Sequence, residues 1–373
     1  MQPANVVGKF VGLIRFLLAL SVLCSHAGGL PIVGSLAGGR TAVEAFFVLS
    51  GFYMSLVLVN KYDSAIPFYI ARLSKIYSGY WIALAFAFIV MLAAGRNIFS
   101  EIIASEWTVL SKGFMFVTNI GIVGSDIMMF SYPGSKGMEF TANFHNQSPK
   151  FFEFHYIAQA WSLPLELMFY LIAPFLVRSV KAMSILCALS LAARVVIFLY
   201  VGNQDPWSYR FFPAELSVFL MGSISYQVHR AFRPENSKAI GRIMWITLIF
   251  AIFLCGAVDV PGKGIPIILL VVLFVPFIFD ATKDMRVDRW LGDISYLVYL
   301  VHYVLISAFE RVSGHQTSTF YYIIVAVGVA AGLHPLANRF DRGLKEWLSR
   351  RMRVPLLPVG KTAITAAEAE SRS

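Results

Sequence analysis

The sequence predicts an all-α fold, a polytopic membrane helix bundle of about ten transmembrane helices with both termini in the cytoplasm. Of the 373 residues, 58% are hydrophobic and only 14% are charged, whereas soluble domains carry about 25% charged residues. The apolar residues form long runs, and the basic residues concentrate in alternate loops between those runs. The composition therefore predicts a membrane protein, and the basic residues that flank each run predict the direction in which each helix crosses the bilayer.

Ten apolar runs approach the roughly 20 residues that a helix needs to cross a bilayer. The first run is too long for the apolar core of a cleaved signal peptide, and the second follows closely, so we interpret the first as a retained span. The runs cover residues 10–30, 41–60, 76–94, 160–178, 183–201, 213–229, 243–260, 265–281, 290–311 and 319–338.

Basic residues divide the loops into two alternating sets. The opposite loops are poor in them, and loop 95–159 has only four in 65 positions, so the positive-inside rule places the rich loops and both termini in the cytoplasm. The net charge of +10 then reflects membrane topology, and no nucleic-acid partner is expected. The rich loops carry Lys61, Arg72, Lys75, Arg178, Lys181, Arg230, Arg233, Lys238, Arg242, Lys283, Arg286 and Arg289.

We expect one transmembrane domain over residues 1–340, which includes the outer loop 95–159, and a basic cytoplasmic tail over residues 341–373 whose end is disordered. Residues 107–130 are moderately apolar, but an eleventh span there would invert every later loop. We therefore predict a re-entrant or interfacial segment. The loop's Gly, Ser, Asn and aromatic residues fit either substrate recognition or a solvated connector.

Two ionisable residues, Arg15 and His26, lie within the first apolar run, where such side chains are costly and indicate a functional site. They are eleven residues apart, which is almost three helical turns and about 16 Å. Both therefore share one helix face and resemble two ends of one site. Arg194, in the fifth run, is expected to pair with an acid such as Glu215 or Asp259.

Six patterns follow one another along the chain, and together they resemble one family. They are Arg15-x10-His26, Val43-Glu44-Ala45-Phe46-Phe47-Val48-Leu49-Ser50-Gly51-Phe52, Arg72-Leu73-Ser74-Lys75, Trp161-Ser162-Leu163-Pro164-Leu165-Glu166, Arg210 leading to Phe219 and Gly222, and Leu291-Gly292-Asp293-Ile294-Ser295-Tyr296 followed by Tyr299 and His302. In this order and spacing they resemble the acyltransferase-3 family of integral membrane O-acyltransferases over residues 15–302. That family commonly has Arg where this chain has Lys75.

The resemblance implies an acyltransferase that moves an acyl group, most often acetyl from cytoplasmic acyl-CoA, to a hydroxyl of a carbohydrate or glycolipid, such as a cell-surface glycan. It implies a multi-pass protein of the cell membrane with acyl-CoA as a substrate and no permanently bound cofactor. No esterase-like domain follows the last span, which suggests the stand-alone form. The three cysteines lack metal-ligand spacing, so no metal is expected.

Acyl transfer to a hydroxyl needs a base and a means of stabilising the oxyanion. His26 is the expected base, and a covalent acyl-histidine is the lesser alternative. A third group usually orients such a base, and either Glu44 or Glu166 is expected to do so. The alternative role of Glu166 is binding of the acceptor. The alternative for Glu44 is an ordinary charge at the membrane interface.

Three cations are expected to bind the donor. Arg72 and Lys75, at the cytoplasmic mouth, suit its phosphates, although ordinary positive-inside charge also explains them. Arg15 suits the donor's pantetheine arm. His302 is expected either to form a structural hydrogen bond between helices or to take a direct part in the reaction. The other motif positions are Trp161, Ser162, Ser295 and Tyr296.

Two other functions fit a membrane bundle with buried charge. One is a transporter or flippase of a glycan or lipid-linked acceptor, and the other is a purely structural subunit. Transporters often contain internal repeats and broken helix pairs, and the sequence has no evident repeat. A structural subunit leaves the buried charges unexplained, so the enzyme is the preferred interpretation.

Overall fold

The computed structural model describes residues 11–134 and 136–354, and these are almost entirely helical. A two-stranded antiparallel hairpin and four short 3-10 turns lie between the fifth and sixth helices. The helices are α1 Gly12–His26, α2 Gly39–Asn60, α3 Ala65–Ala93, α4 Ile98–Ala104, α5 Val109–Gly121, α6 Ser162–Leu176, α7 Val180–Val201, α8 Phe212–Phe232, α9 Ser237–Ala257, α10 Gly264–Thr282, α11 Arg286–Ser313 and α12 Thr319–Met352. The strands are β1 Ser131–Gly134 and β2 Gly137–Phe140.

Each of the ten predicted apolar runs coincides with a helix of at least 15 residues. Among the described residues, seven of these helices are long and apolar enough to cross a membrane: α2, α3, α7, α9, α10, α11 and α12. The all-helical membrane bundle is thus confirmed, whereas the count of ten spans and the direction of the termini stay predictions. Helix α1 is shorter than its run, because Gly28 and Gly29 both adopt a φ of 84° just after it ends.

The N-terminus of α1 is capped by a residue from α11. The carboxylate of Asp288 accepts hydrogen bonds from the backbone N–H of Gly12 (2.7 Å) and of Leu13 (2.8 Å). A Cβ on Gly12 would lie only 1.6 Å from the Asp288 carbonyl oxygen, so glycine permits this close approach. The cap satisfies two backbone donors that a helix start leaves free, and it fixes α1 against α11.

Helix α2 is held equally closely against α8. A Cβ on Gly51 would lie 1.8 Å from the Phe219 carbonyl oxygen, and one on Gly222 would lie 2.0 Å from that of Val48. The Ser223 hydroxyl also donates to the Gly51 carbonyl at 3.0 Å. Small residues therefore set the position of α2, which also packs against α1 and α10.

The predicted re-entrant or interfacial segment 107–130 contains helix α5, whose 13 residues are fewer than the roughly 20 of a full span. Three aromatic side chains of α3 donate to backbone carbonyls near the C-terminal end of α5: Tyr77 to Gly121, Tyr80 to Asn119 and Trp81 to Ile120. They satisfy acceptors that a helix end leaves free. The relation of this segment to the membrane stays a prediction.

Helix α12 continues through the predicted boundary between domain and tail at residue 340 and ends at Met352. The first part of the predicted tail is thus an extension of a long apolar helix. The disordered end predicted for the tail, residues 360–373, lies outside the described residues. The division into domain and tail itself stays a prediction.

Candidate active site

Two cavities adjoin at the centre of the bundle. The Arg15 cavity, of about 280 Å³, lies between α1, α2, α3, α6, α11 and α12. The His26 cavity, of about 370 Å³, lies between the other end of α1, the start of α2, part of α11, and connecting residues between 129 and 161 and at 209–210. Val43 and Tyr299 line both cavities. Arg15 and His26 therefore lie at two ends of one interior, on the single short helix α1.

The Arg15 cavity is rich in positive charge. Of its basic residues, Lys345 pairs with Asp341 at 2.6 Å, and in the part of the chain that the structure describes the others form no ion pair with a carboxylate. The carboxylates of Glu166, Asp293 and Asp341 also line the cavity, so five basic residues against three acidic ones leave a net positive charge that favours an anionic ligand. The basic residues that line it are Arg15, Lys61, Arg72, Lys75 and Lys345.

The two arginines of this cavity retain unused hydrogen-bond donors. The Arg72 guanidinium lies 4.6 Å from the centre of the Tyr53 ring, and that of Arg15 lies 6.0 Å from the centre of the Phe46 ring. The Nε atom of each arginine is buried without a hydrogen-bond partner among the described residues. Lys75 differs, because its ammonium donates to Asn338 Oδ1 at 3.0 Å.

Glu166 also lines the Arg15 cavity. Its Oε1 accepts hydrogen bonds from the Ser50 hydroxyl (2.9 Å) and the Tyr170 hydroxyl (2.5 Å). The motif residue Tyr296 lines the same cavity and donates to the Ile76 carbonyl. Ser295 is buried and donates to Gly292 of its own helix.

Glu44 belongs to a different group. Its carboxylate lies 3.3 Å from Arg194 and 3.5 Å from Arg40, and Arg194 also pairs closely with Glu215. The expected partnership of Arg194 with Glu215 is confirmed, whereas Asp259 lies near a lysine. Within the described ranges, neither Glu44 nor Glu166 hydrogen-bonds to the base candidate His26, and their orienting role stays a prediction.

His26 is the last residue of α1, and its side chain is accessible from its cavity. Its ring centre lies 5.4 Å from that of His302 and 5.2 Å from that of Tyr303. The start of α12 fixes this helix end: the Thr319 hydroxyl donates to the Ala27 carbonyl at 2.6 Å. A base on a fixed helix end, facing open space, is well placed to meet a substrate.

His302, next to His26, is almost completely buried. Its Nδ1 lies 2.8 Å from the Tyr299 carbonyl oxygen. A carbonyl only accepts, so Nδ1 carries the proton and Nε2 is left as an acceptor. That Nε2 is buried and has no hydrogen-bond partner among the described residues. His302 thus combines a structural bond with an unused acceptor beside the expected base.

The partition between the cavities is a hydrogen-bonded unit. The Tyr299 hydroxyl donates to the Gln159 carbonyl at 2.7 Å and lies 2.8 Å from the Ser162 hydroxyl. The Gln159 amide in turn donates to the carbonyls of Tyr299 and Leu300. Two adjacent motif residues face different cavities at this partition: Trp161 lines the His26 cavity, whereas Ser162 lines the Arg15 cavity.

Aromatic and loop residues form most of the His26 cavity. The Arg210 guanidinium lies 4.1 Å from the centre of the Trp161 ring and donates to Asp205 at 2.8 Å. Burial raises the pKa of Tyr209 to about 12, so its hydroxyl stays protonated near neutral pH. Flat rings with a few fixed polar groups are typical of small-molecule sites.

A family model described as an acyltransferase domain matches residues 9–333. The chain belongs to the acyltransferase-3 family. Neither the curated proteins nor the solved structures gave a significant match. The family predicted from the sequence motifs is thus confirmed, the chain is an acyltransferase enzyme, and its apolar helices make it a multi-pass membrane protein.

The sequence motifs missed part of this candidate site. Asn338, Asp341 and Lys345 all line the Arg15 cavity, and all three follow the last residue that the family model matches. Their spacing of three and four residues places them on one helix face, which was the available signal. Lys61 was counted only as loop charge.

Proposed function

We propose that this enzyme transfers an acyl group, acetyl in the simplest case, from cytoplasmic acyl-CoA to a hydroxyl of a carbohydrate or glycolipid acceptor, such as a cell-surface glycan. The observation that carries the proposal is the pair of adjoining cavities, which share Val43 and Tyr299. One cavity is cationic and the other contains an accessible histidine. Two substrates of different chemistry can therefore meet at one junction.

Donor binding is supported by the form of the Arg15 cavity. Its wall follows α2 from Val43 to Lys61 at the end of that helix, about 27 Å of helix length. Acyl-CoA is a long molecule with phosphates at one end and a thioester at the other. Arg72 and Lys75 would bind the phosphates, and the thioester would then reach the junction beside Tyr299.

His26 would act as the general base. Its ring accepts the proton of the acceptor hydroxyl as that oxygen attacks the thioester carbonyl carbon. The tetrahedral intermediate collapses, the carbon–sulfur bond breaks, and the departing thiolate recovers the proton from the imidazolium. Among the groups near the base, His302 offers the free acceptor Nε2 and is better placed to orient His26 than Glu44 or Glu166.

Acceptor binding is assigned to the His26 cavity. Its aromatic lining, which includes Trp161 and Tyr209, suits the apolar faces of a sugar ring, and Arg40 and Arg210 supply donors for its oxygens. The expected topology places this cavity towards the outer side of the cell membrane. Reporter fusions after Arg233 should then read cytoplasmic and fusions after Gly262 external; the reverse pattern would contradict this sidedness.

The direct test measures acylation in isolated membranes. Membranes that contain the enzyme are incubated with radiolabelled acetyl-CoA and crude envelope glycans, and label in alkali-labile ester is counted. Membranes with an equal amount of the His26→Ala variant serve as the control. Wild-type membranes should transfer label and the variant should lose it. Equal labelling by both would refute the role of His26, and no labelling of any glycan fraction would refute the proposed reaction.

A further inference from the structure

The end of helix α12 extends the cationic cavity beyond the part of the chain that the family match covers. That match ends at residue 333, yet Asn338, Asp341 and Lys345 line the Arg15 cavity. Their intervals of three and four residues place them on one face of α12. Arg342, on the same turn, is exposed and does not line the cavity.

The contacts of this face fix its order along the cavity. Asn338 accepts a hydrogen bond from Lys75 at 3.0 Å. Lys345 lies seven residues further along the helix, about 10 Å. Its ammonium is held by Asp341 at 2.6 Å, and Lys61 and Tyr62, just after the end of α2, line the same cavity. Lys345 thus lies at the end of the cavity remote from the Val43 and Tyr299 junction.

The order of groups in acyl-CoA matches this arrangement. If the thioester lies at the junction, the diphosphate comes next to Arg72 and Lys75, and the ribose 3′-phosphate lies beyond it. We infer that Lys345 binds the ribose 3′-phosphate of coenzyme A, held in place by Asp341. The inference rests on the proposed use of acyl-CoA. It makes the extension of α12 part of the donor site and a determinant of donor specificity.

The test compares two donors that differ only in that phosphate. The ratio of kcat/KM for acetyl-CoA to that for acetyl-3′-dephospho-CoA is measured in each variant, so the amount of folded enzyme cancels. We expect the wild type to prefer acetyl-CoA by about 10- to 100-fold, the range of one charge-assisted hydrogen bond. Lys345→Ala should bring the ratio close to one. Arg342→Ala, with the same charge change on the same helix, should keep the wild-type ratio.

Lys345→Gln retains most of the side chain and repeats the test if the alanine variant is poorly folded. An unchanged ratio in the Lys345 variants would overturn the inference, as would a wild type that does not distinguish the donors. Contact of Lys345 with a lipid phosphate would also leave the ratio unchanged. If neither coenzyme A donor supports acylation, the proposed function fails and the inference with it; activity with an unchanged ratio rejects the inference alone.

Discussion

The two cavities differ in the structure that builds them. The Arg15 cavity is enclosed by the helices α1, α2, α3, α6, α11 and α12. Its charged residues come from α1, α3, α6, α11 and α12 and from Lys61, just after the end of α2. The His26 cavity takes much of its wall from connecting segments, including residues between 129 and 161 and residues 209–210. Loops vary more easily than the helices that carry them. On the proposed function, the rigid cavity binds an invariant donor, and the loop-lined cavity can be adapted to different acceptors.

Replacing the base should have the largest effect. General-base assistance contributes about 10²–10⁴-fold, so His26→Ala should lower kcat by that factor. The KM for the donor should change little, because its phosphates bind in the other cavity. Turnover is measured in membranes matched for enzyme content. A variant that accumulates normally and keeps the wild-type kcat would contradict the assignment of the general base to the His26 cavity.

His302→Ala provides the comparison for the same site. His302 touches the base rather than the substrate, so its loss in kcat should be smaller than that of His26→Ala. Its Nδ1 bond to the Tyr299 carbonyl also stabilises α11, so protein level is measured alongside. A loss in kcat equal to that of His26→Ala, at normal protein level, would place His302 in direct contact with the reaction.

Removing a donor contact should have the next largest effect. Arg72→Ala should raise the KM for acyl-CoA by about 10- to 100-fold, the range of one charge-assisted hydrogen bond. The KM for the acceptor should stay near that of the wild type. Both constants are measured by varying one substrate at saturation with the other. Equal increases in the two would indicate a general loss of folding, and the assignment of separate cavities would lose its support.

The same contrast explains what could be predicted from the sequence. Arg15, Arg72 and Glu166 lie on regular helices and line one cavity. Glu166 was expected beside His26 instead, and its role stays a prediction. The positive-inside rule counts charges but gives no side-chain direction, so it does not distinguish Lys345, which lines the cavity, from the exposed Arg342. Local patterns contain too little information for contacts between distant parts of the chain.

Two such contacts had structural consequences. The cap on α1 comes from Asp288, 276 residues away, and this residue lies outside the ten predicted apolar runs and the six motifs. Glu44 stands in the right motif, but its partners Arg40 and Arg194 come from its own helix and from α7. The ten helices were predictable because a long apolar run is a local feature of the sequence, whereas the orienting group of the base depends on tertiary packing.

A substitution in the His26 cavity should give the reverse of the Arg72 result. Arg210→Lys keeps the charge but loses the planar group that stacks on Trp161 and donates to Asp205. We expect the KM for the acceptor to rise by about 10-fold and that for acyl-CoA to stay constant. The same assay with both substrates measures it. A rise in the KM for acyl-CoA alone would indicate that Arg210 binds the donor, and it would contradict the assignment of the two substrates to separate cavities.

The smallest effect is expected from Lys75→Arg. Lys75 donates to Asn338 at 3.0 Å in the Arg15 cavity, and Arg can keep both that bond and the charge while adding donors for a phosphate. The KM for acyl-CoA should therefore remain within about 3-fold of the wild-type value, and the KM for the acceptor should not change. Lys75→Ala is the matched comparison and should weaken donor binding alone, because it removes the charge. If arginine is as damaging as alanine, position 75 serves the close contact between α3 and α12 rather than the donor, and phosphate binding would then rest on Arg72 and the other cations of that cavity.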